Sequence, residues 1–464
     1  MSVKTGNYTF SQIIGLAVVS SLLLMENIDA HILNVAIPQM APAFDTNVFA
    51  LKLAVTSYLI GLSVFIPISG WMSDRLGTRN ILIFSNVLFT LMSICCGLSH
   101  SLIWLIIFRL LQGIAGAFMV PVARLLMLKI FSKEQMVKAY TIMGMPVVLG
   151  PILAPVIGGY LVTYLGWRYI FWVNIPIGLI ALYATIRYIK NYRERQQRFN
   201  LYGYIFLAIF IASGSFYLDL FLMDEVAGSL KWKLLLVAFI SGVVYYLIEK
   251  NSRFPVVRYH LFQLRTFRLS FFSTIIIRAA LGGRAFILAI FLEIVFKLSA
   301  LDAGALLVFM SLGVLASRNI VKGMLEKFGF RRTLTYANIG SVVALVMLGL
   351  VGQIGWFLYL VLFLNGVFAS AQFMSLNILY YAEVESIDYG AAVSLAATWQ
   401  QLGTSLGVIV AAGMLSLLNG LMGSKFSLLS FHFTFVGLAF INLCCQVLIN
   451  QLNYDDGKVL LNRR

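Results

Sequence analysis

Residues 70–80 read GWMSDRLGTRN, a short charged turn between two long apolar runs. Residues 326–331 read EKFGFR and repeat, from position 74 onward, the order acid, base, apolar residue, glycine, any residue, arginine. The two copies start 252 positions apart (326 minus 74), and the second copy also separates two apolar runs. Only the glycine and the final arginine are identical, so a coincidental match is one alternative. The other, which we favour, is a chain built from two copies of one helical unit.

The composition is too apolar for a soluble protein. Of the 464 residues, 61% are hydrophobic and 11% are charged, and the mean hydropathy is +0.92. Soluble domains have about half apolar and about a quarter charged residues. Apolar runs of about 20 residues, the length that crosses a bilayer as a helix, recur along the chain. We predict an all-α, multi-pass membrane protein without a cleavable signal peptide.

The apolar runs predict fourteen membrane spans in a six, two, six arrangement. Two six-helix bundles are expected at 1–198 and 251–464, the second with a short cytoplasmic tail. Two inserted transmembrane helices in 199–250 have no counterpart in the repeat. The charged turn joins the second and third helices of each bundle, as expected for a transporter built from parallel repeats. The predicted spans are 12–36, 51–71, 80–99, 102–124, 137–163, 169–188, 201–221, 233–249, 269–293, 303–320, 333–352, 355–380, 390–416 and 427–449.

The distribution of the basic residues explains the net charge of +16 without a nucleic-acid partner. If the N-terminus is cytoplasmic, the inner loops and tails hold about 24 of the 34 lysines and arginines, and the outer loops about six. This bias predicts that both termini are cytoplasmic, with attraction to anionic lipid as a by-product. The four cysteines form two adjacent pairs inside apolar runs and lack metal-ligand spacing, so we expect no metal site and no cofactor.

Two acids stand close together in the first span. Glu26 and Asp29 are three residues apart and therefore project from one face of a helix. A charge near the middle of a bilayer costs ~3 kcal/mol even on lenient scales, so such residues are functional by default. Neighbouring carboxylates resist simultaneous ionisation, which suits a proton carrier; a solvated, silent pair is the alternative. Arg109 in the fourth span needs a carboxylate partner, and either acid is a candidate.

Further polar residues fall inside predicted spans. Asp219, Arg278 and Arg284 are intramembrane charges, and two arginines in one span are unusual. They favour an anionic ligand or structural ion pairs with Asp219 or Glu293. His31 could join a proton relay, although a lone histidine is more often a hydrogen-bonded packing residue. In the fifth span, residues 144–159 contain three prolines and four glycines, which predicts a kinked, close-packing helix suited to a hinge.

Together these segments resemble the major facilitator superfamily, specifically its fourteen-helix drug:proton antiporter branch, the EmrB/QacA-like family. The resemblance covers nearly the whole chain. The matching segments are the turn at 70–80, Arg109-x-x-Gln112-Gly113, Gly150-Pro151 with Gly158-Gly159, residues 167–178 entering the sixth span, and Asp29 with residues 34–38.

The resemblance implies efflux of a small molecule across the bacterial cytoplasmic (inner) membrane by alternating access, driven by inward proton flow. It implies proton coupling by Asp29 and Arg109, to which we add Glu26, and it implies a cytoplasmic gate. Fourteen-helix relatives can work with a periplasmic adaptor, although no docking segment is recognisable here. The predicted gating residues are Asp74, Arg75, Arg79, Gly150, Pro151, Gly158, Gly159, Glu326 and Arg331. The predicted substrate-binding residues are His31, Asn34, Asp219, Arg278 and Arg284.

The gate is predicted to act as an electrostatic latch. Asp74 would cap the positive N-terminal end of the thirteenth span in one state and release it in the other. Arg75 and Arg79 would pair with an acid of the preceding loop. The candidate acids are Glu383, Glu385 and Asp388.

The substrate and the class of activity leave alternatives. Arg278 and Arg284 would repel lipophilic cations, so an anionic metabolite such as a polycarboxylate or a siderophore is an alternative to a multidrug substrate. A more distant alternative is an intramembrane lipid-modifying enzyme, but none of the four histidines has a carboxylate at acyltransferase spacing. The proline and glycine pattern of the fifth span argues against an importer. Composition alone leaves a channel or a lipid flippase open.

Overall fold

A computed structural model describes residues 9–46, 48–132, 135–194, 199–221, 228–250, 252, 255–298, 300–422 and 427–461. Every regular element within these ranges is helical. In chain order the α-helices are α1 (Phe10–Ala43), α2 (Val48–Leu76), α3 (Thr78–Gly97), α4 (Leu102–Ile130), α5 (Met136–Tyr164), α6 (Tyr169–Trp172), α7 (Asn174–Tyr188), α8 (Leu201–Phe221), α9 (Gly228–Lys250), α10 (Arg265–Ile290), α11 (Ala300–Leu348), α12 (Trp356–Leu379), α13 (Tyr389–Met422) and α14 (Leu428–Asn450).

The described helices make the protein a multi-pass membrane protein. Ten of them are long and apolar enough to cross a membrane, and a bent pair within 302–348 raises the number to eleven. Each of the fourteen predicted apolar runs overlaps a helix, but fewer pass this test. The number fourteen therefore remains a prediction.

The chain divides into two compact units. The N-terminal unit comprises Met1–Ala212, Ser241–Val257 and Ser386–Leu395. The C-terminal unit comprises Ser213–Ile240, Arg258–Glu385 and Ala396–Arg464. Each of the two inserted helices, α8 and α9, thus lies partly in one unit and partly in the other. Our prediction of a separate segment at 199–250 remains a prediction.

Both copies of the charged turn place their glycine in the left-handed region of backbone conformation. Gly77, between α2 and α3, has φ +94°, and Gly329 has φ +78°. A side chain at either position would be strained, because L-residues rarely adopt positive φ. Gly329 interrupts the helical backbone of α11, so α11 consists of two helices that meet at this glycine.

Glycines also bring one helix pair of each unit into close approach. In the N-terminal unit, a Cβ on Gly61 of α2 or on Gly113 of α4 would collide with a backbone carbonyl of the other helix. In the C-terminal unit, a Cβ on Gly313 of α11 or on Gly366 of α12 would likewise collide with a backbone carbonyl of the other helix. Small residues at such positions allow helix backbones to pack tightly in a membrane.

The helix that carries both predicted acids begins at a capping box. The Thr9 hydroxyl accepts from the Gln12 backbone N–H at 3.3 Å, and the Gln12 side chain accepts from the Thr9 N–H at 3.0 Å. These bonds satisfy donors that a helix start leaves unpaired. From there α1 runs for 34 residues, long enough to carry Glu26 and Asp29 in its middle.

Candidate functional site

The centre of the N-terminal unit is an ion pair between Asp29 of α1 and Arg109 of α4. The Arg109 Nη1 donates to the Asp29 Oδ2 at 2.5 Å, and both residues are 1% exposed. The sequence predicted that Arg109 pairs with Glu26 or Asp29, and the structure brings it to Asp29. A buried pair of this kind is costly to break, because the remaining partner is left as an uncompensated charge.

Neutral side chains complete the surroundings of the Asp29 carboxylate. Its Oδ1 accepts from the Gln112 Nε2 at 3.0 Å and from the Asn174 Nδ2 at 2.9 Å. The Ser93 hydroxyl accepts from both amides, at 2.8 and 3.3 Å. Helices α1, α3, α4 and α7 thus meet at one carboxylate that receives three hydrogen bonds.

Glu26 lies in a different environment one turn earlier on α1. It is half-buried and accepts from the Asn27 Nδ2 at 3.0 Å and from the Tyr58 hydroxyl at 3.3 Å. Among the described residues it forms no ion pair at salt-bridge distance. Of the two predicted proton carriers, Glu26 is therefore the one held only by neutral donors.

Tyr58 of α2 connects the two acids. Its hydroxyl donates to Glu26, and the Cζ atom of Arg109 lies 4.4 Å from the centre of its ring. A cation over a tyrosine ring is attracted by the ring electrons. The sequence gives no signal for Tyr58 or for Ser93, since both are uncharged residues within apolar runs. Gln112 and Asn174 lie in the segments that carry the resemblance, but the sequence predicts no role for either residue.

The other predicted residues of the first span lie outside this cluster or outside the described side chains. His31 is exposed, and its Nδ1 lies 2.8 Å from the carbonyl oxygen of Asn27. This fits the hydrogen-bonded interpretation of the histidine. The side chain of Asn34 falls outside the described part of α1.

The predicted hinge helix α5 packs against α1 beside the acids. A Cβ on Gly150 would lie 2.5 Å from the Cβ of Asn27, between Glu26 and Asp29 in sequence. Gly158 is buried, whereas a Cβ on Gly159 would meet nothing within 4 Å. The side chain of Pro151 is outside the described residues. The close approach of Gly150 means that α5 and α1 cannot separate at this point without disturbing the residues around Asn27.

The charged turn is held by the extended segment that follows α7, residues 189–194. The Thr78 backbone N–H donates to the Tyr192 carbonyl at 3.0 Å, and the Glu194 N–H donates to the Asp74 carbonyl at 3.1 Å. The Arg79 Nη2 donates to the Ile186 carbonyl at 2.6 Å. We call residues 189–194 the strap. The predicted gate is thus anchored to α7 and the strap through both backbone and side-chain hydrogen bonds.

Asp74 also lies at the start of α13, within the N-terminal unit. A Cβ on Gly390, the second residue of α13, would lie 2.5 Å from the Asp74 Oδ2. Lys129 of α4 forms an ion pair with Glu194 of the strap and donates to the Ser386 carbonyl at 3.3 Å. The Arg75 guanidinium lies 5.2 Å from the Trp71 ring.

In the second copy of the turn, the charged residues interact with residues of the same unit. Glu326 forms an exposed ion pair with Lys322 at 3.8 Å, and Arg331 lies 4.7 Å from the ring of Tyr454. The acid Glu383 of the same unit accepts from the Thr266 backbone N–H at 3.0 Å.

The two arginines of α10 have different surroundings. Arg278 lies 4.3 Å from the ring of Phe373 and donates to the Gln400 Oε1 at 3.4 Å. Arg284 is 8% exposed, and its Nη1 donates to the Asn365 Oδ1. The Nε of Arg284 and the Nδ2 of Asn365 are buried, and neither has a hydrogen-bond partner among the residues that the structure describes. Glu293, one of the predicted ion-pair partners, is exposed and forms no salt bridge with a described residue. The side chain of Asp219, the other, is not described.

Comparisons with known proteins agree with this architecture. A family model described as Major Facilitator Superfamily matches residues 19–295. Two relatives, each described as "Putative multidrug resistance protein MdtD", come from Escherichia coli O17:K52:H18 (strain UMN026 / ExPEC) and Shigella flexneri serotype 5b (strain 8401). Each is 34% identical over 426 residues, which cover 90% of this chain and 90% of the relative.

The crystal structure of the human organic anion transporter MFSD10 (TETRAN) has a similar fold. It aligns with a TM-score of 0.66 over 94% of this chain and 99% of that chain. At 14% sequence identity, this likeness concerns the fold alone. The extent of the family match and the sequence identity to the relatives show the family as well as the fold. The chain belongs to the major facilitator superfamily, whose members are membrane transporters and not enzymes.

Proposed function

We propose that the protein is a proton-driven exporter of a small molecule in the bacterial inner membrane, with both termini cytoplasmic. We place it in the fourteen-helix drug:proton antiporter branch, with protons, lipid and a small-molecule substrate as its partners. The observation that carries the proposal is the buried Asp29–Arg109 pair next to Glu26. Ionisable groups are expensive inside a membrane and mark ion or proton pathways. The description of the relatives as multidrug resistance proteins supports export.

In this mechanism the proton and the substrate bias one two-state equilibrium in opposite directions. Protonation of Asp29 would remove the charge that holds Arg109, and the guanidinium would then need a new partner. The resulting rearrangement of α1 against α4 would favour one of the two access states. Glu26, which accepts hydrogen bonds from neutral donors, would receive the proton first. The proton would then pass between Glu26 and Asp29 on the side of the cluster where Tyr58 lies.

The gate would work through Asp74 and the start of α13. A carboxylate at a helix N-terminus is stabilised by the partial positive charge of that end. Capping of α13 by Asp74 would stabilise the inward-closed state, and loss of this contact would accompany opening. Pairing of Arg75 and Arg79 with Glu383, Glu385 or Asp388 remains part of this proposal.

Transport in everted membrane vesicles tests the proposal. When the vesicle interior is acidified, the wild-type protein is expected to accumulate ethidium, and an ionophore that collapses the pH gradient should stop the accumulation. Asp29→Asn should lose this dependence on the gradient. Asp455→Asn, which removes an exposed carboxylate paired with Lys458, is the matched control and should retain it. Transport by Asp29→Asn that still follows the gradient would refute the assignment.

A dedicated exporter of an anionic metabolite, such as a polycarboxylate or a siderophore, is the second candidate. The half-buried Arg278 and the buried Arg284 favour it, because a positive cavity would repel lipophilic cations. Arg278→Ala should abolish export of carboxylates and spare any lipophilic cation. Equal loss of both activities would count against this candidate.

A further inference from the structure

The internal duplication relates Arg284 to Asp29. Arg284 is the twentieth residue of α10 (265 to 284), and Asp29 is the twentieth residue of α1 (10 to 29). Each of these helices opens one repeat. The N-terminal unit therefore has an acid, and the C-terminal unit a base, at the same position of the equivalent helix.

The hydrogen-bond partners of these two residues are also equivalent. Gln112, which donates to Asp29, directly precedes the close-approach glycine Gly113 of α4. Asn365, which accepts from Arg284, directly precedes the corresponding Gly366 of α12. In both units, a charge on the first helix of the repeat meets an amide on the fourth.

The two centres differ in how far they are satisfied. In the N-terminal unit, Asp29 and Arg109 supply both charges, so the chain provides its own carboxylate. In the C-terminal unit, Arg284 is 92% buried and has no carboxylate partner among the described residues. Within the same part of the chain, its Nε and the Asn365 Nδ2 have no acceptor. A buried charge with unused donors is costly unless a ligand pairs with it.

The packing of α10 keeps Arg284 in this position. A Cβ on Gly282 would collide with the Thr404 carbonyl, and one on Gly283 would lie 2.7 Å from the Gly407 carbonyl oxygen. Both contacts are with the backbone of α13. The two residues that precede Arg284 therefore fix this stretch of α10 against its neighbour, and the helix cannot easily rotate to expose the guanidinium.

We propose that Arg284 and Asn365 form a binding site for one carboxylate group of an organic anion. One carboxylate oxygen would accept from the Arg284 Nε and the other from the Asn365 Nδ2, the two donors that now lack a partner. A carboxylate holds two oxygens side by side and can accept from both donors at once, which gives this class an advantage over spherical anions. The inference rests on the second candidate of the proposed function, an exporter of an anionic metabolite, and names the group by which that substrate binds. It places the substrate carboxylate where the other repeat carries Asp29.

Binding to the purified full-length protein in detergent tests the site without a proton gradient. We expect a concentration series of succinate to raise the melting temperature, and succinamide, its neutral analogue, to have no effect. Arg284→Gln should abolish the shift. Arg268→Gln removes another positive charge from α10, at an exposed position, and should leave the shift unchanged.

A second variant keeps the test decisive if Arg284→Gln does not fold. Asn365→Asp would place a carboxylate beside Arg284, as Asp29 stands beside Arg109. We expect this variant to melt at a higher temperature than the wild type without ligand and to show no further shift with succinate. A succinate shift that persists in either folded variant would overturn the proposal.

Inorganic anions form the remaining arm of the experiment. Stabilisation by chloride or sulfate equal to that by succinate would show a general anion site and overturn the carboxylate assignment. Failure of the exporter proposal gives a different pattern, namely succinate binding that depends on Arg284 together with vesicle transport that ignores the pH gradient.

Discussion

The two acids of α1 differ in their partners, and this difference decides what each can do. Asp29 receives three hydrogen bonds, one of them from a buried arginine, whereas Glu26 is held by a tyrosine hydroxyl and an amide. The Asp29 carboxylate, with its ion pair and three hydrogen bonds, stabilises the fold in addition to any role in transport. A carboxylate with neutral donors can change its protonation at a lower structural cost.

We expect Asp29→Asn to lower the free energy of unfolding by about 3–5 kcal/mol, because it leaves Arg109 as an unpaired buried charge. Removal of the charge as well, in Asp29→Asn with Arg109→Gln, should restore part of the loss. Glu26→Gln removes no ion pair and should change the melting temperature much less. Thermal unfolding of the purified variants measures all three. An equal loss from Glu26→Gln and Asp29→Asn would contradict the different roles of the two acids.

The tyrosine between the acids can be tested separately. Tyr58→Phe removes the hydroxyl that donates to Glu26 but keeps the ring beside Arg109. We expect a loss of about 1 kcal/mol in unfolding free energy, the usual net value of one hydrogen bond. Tyr58→Leu should cost more, because it removes the ring as well. Similar melting temperatures for the two variants would show that the ring does not stabilise Arg109.

At the level of single residues, charges were predictable from the sequence and their neutral partners were not. Asp29 and Arg109 stand out because ionisable residues are rare in apolar runs, and each needs the other. Ser93 and Tyr58 carry no such signal, since serine and tyrosine are common in membrane helices. Arg284 was recognised as unusual, but its pairing with Asn365 depends on packing that no spacing rule supplies.

Helix α5 depends on one glycine for its contact with α1. We expect Gly150→Ala to abolish transport while the protein still inserts in the membrane, because the added Cβ would displace Asn27 and its neighbours. Gly214→Ala on α8 is the control, since a Cβ there meets nothing within 4 Å and the residue is not among the predicted gating residues. Ethidium accumulation in vesicles, normalised to the amount of protein, compares the two. Normal transport by Gly150→Ala would show that the close approach is dispensable.

The turn between α2 and α3 combines backbone strain with crowding. Gly77 has φ +94°, and a Cβ there would also collide with the Asn191 side chain. Gly166 has φ +99° but has open space around it, so Gly166→Ala reports the strain alone, about 1–3 kcal/mol. We expect Gly77→Ala to cost more than Gly166→Ala in thermal unfolding. Partial rescue by Asn191→Ala would identify the crowding, and equal costs would exclude it.

At the level of elements, the apolar runs predicted where helices lie but not how they join. All fourteen runs overlap helices, because about 20 consecutive apolar residues have few other stable structures in a membrane. The predicted spans 303–320 and 333–352 both lie in α11, within which the backbone of Gly329 leaves the helical conformation. Such a junction depends on one dihedral angle, which hydropathy does not report.

Across the whole molecule, three glycine positions repeat with nearly the same offset. Gly77 and Gly329 differ by 252 positions, as do Gly61 and Gly313, while Gly113 and Gly366 differ by 253. Each pair has the same local structure in its own unit. The charged hexapeptide suggested the duplication, and these glycines extend it to helix crossings that the sequence comparison had not used.

The latch at the charged turn is a prediction about the transport cycle as a whole. Asp74→Asn keeps the size of the side chain but removes the charge that would stabilise the start of α13. We expect vesicle transport to fall severalfold while the melting temperature changes little. Asp455→Asn again serves as the control for the loss of one exposed carboxylate. Unchanged transport by Asp74→Asn would exclude the latch.

The strap also offers a way to measure how often it separates from the charged turn. Its hydrogen bonds to the charged turn involve the amide protons of Thr78 and Glu194, and these protons can exchange with solvent deuterium only when the strap separates from the turn. The exchange rate at these two positions therefore counts opening events directly, without an attached label or a known substrate. A compound that slows or speeds this exchange would reveal itself as a ligand before its transport is ever observed.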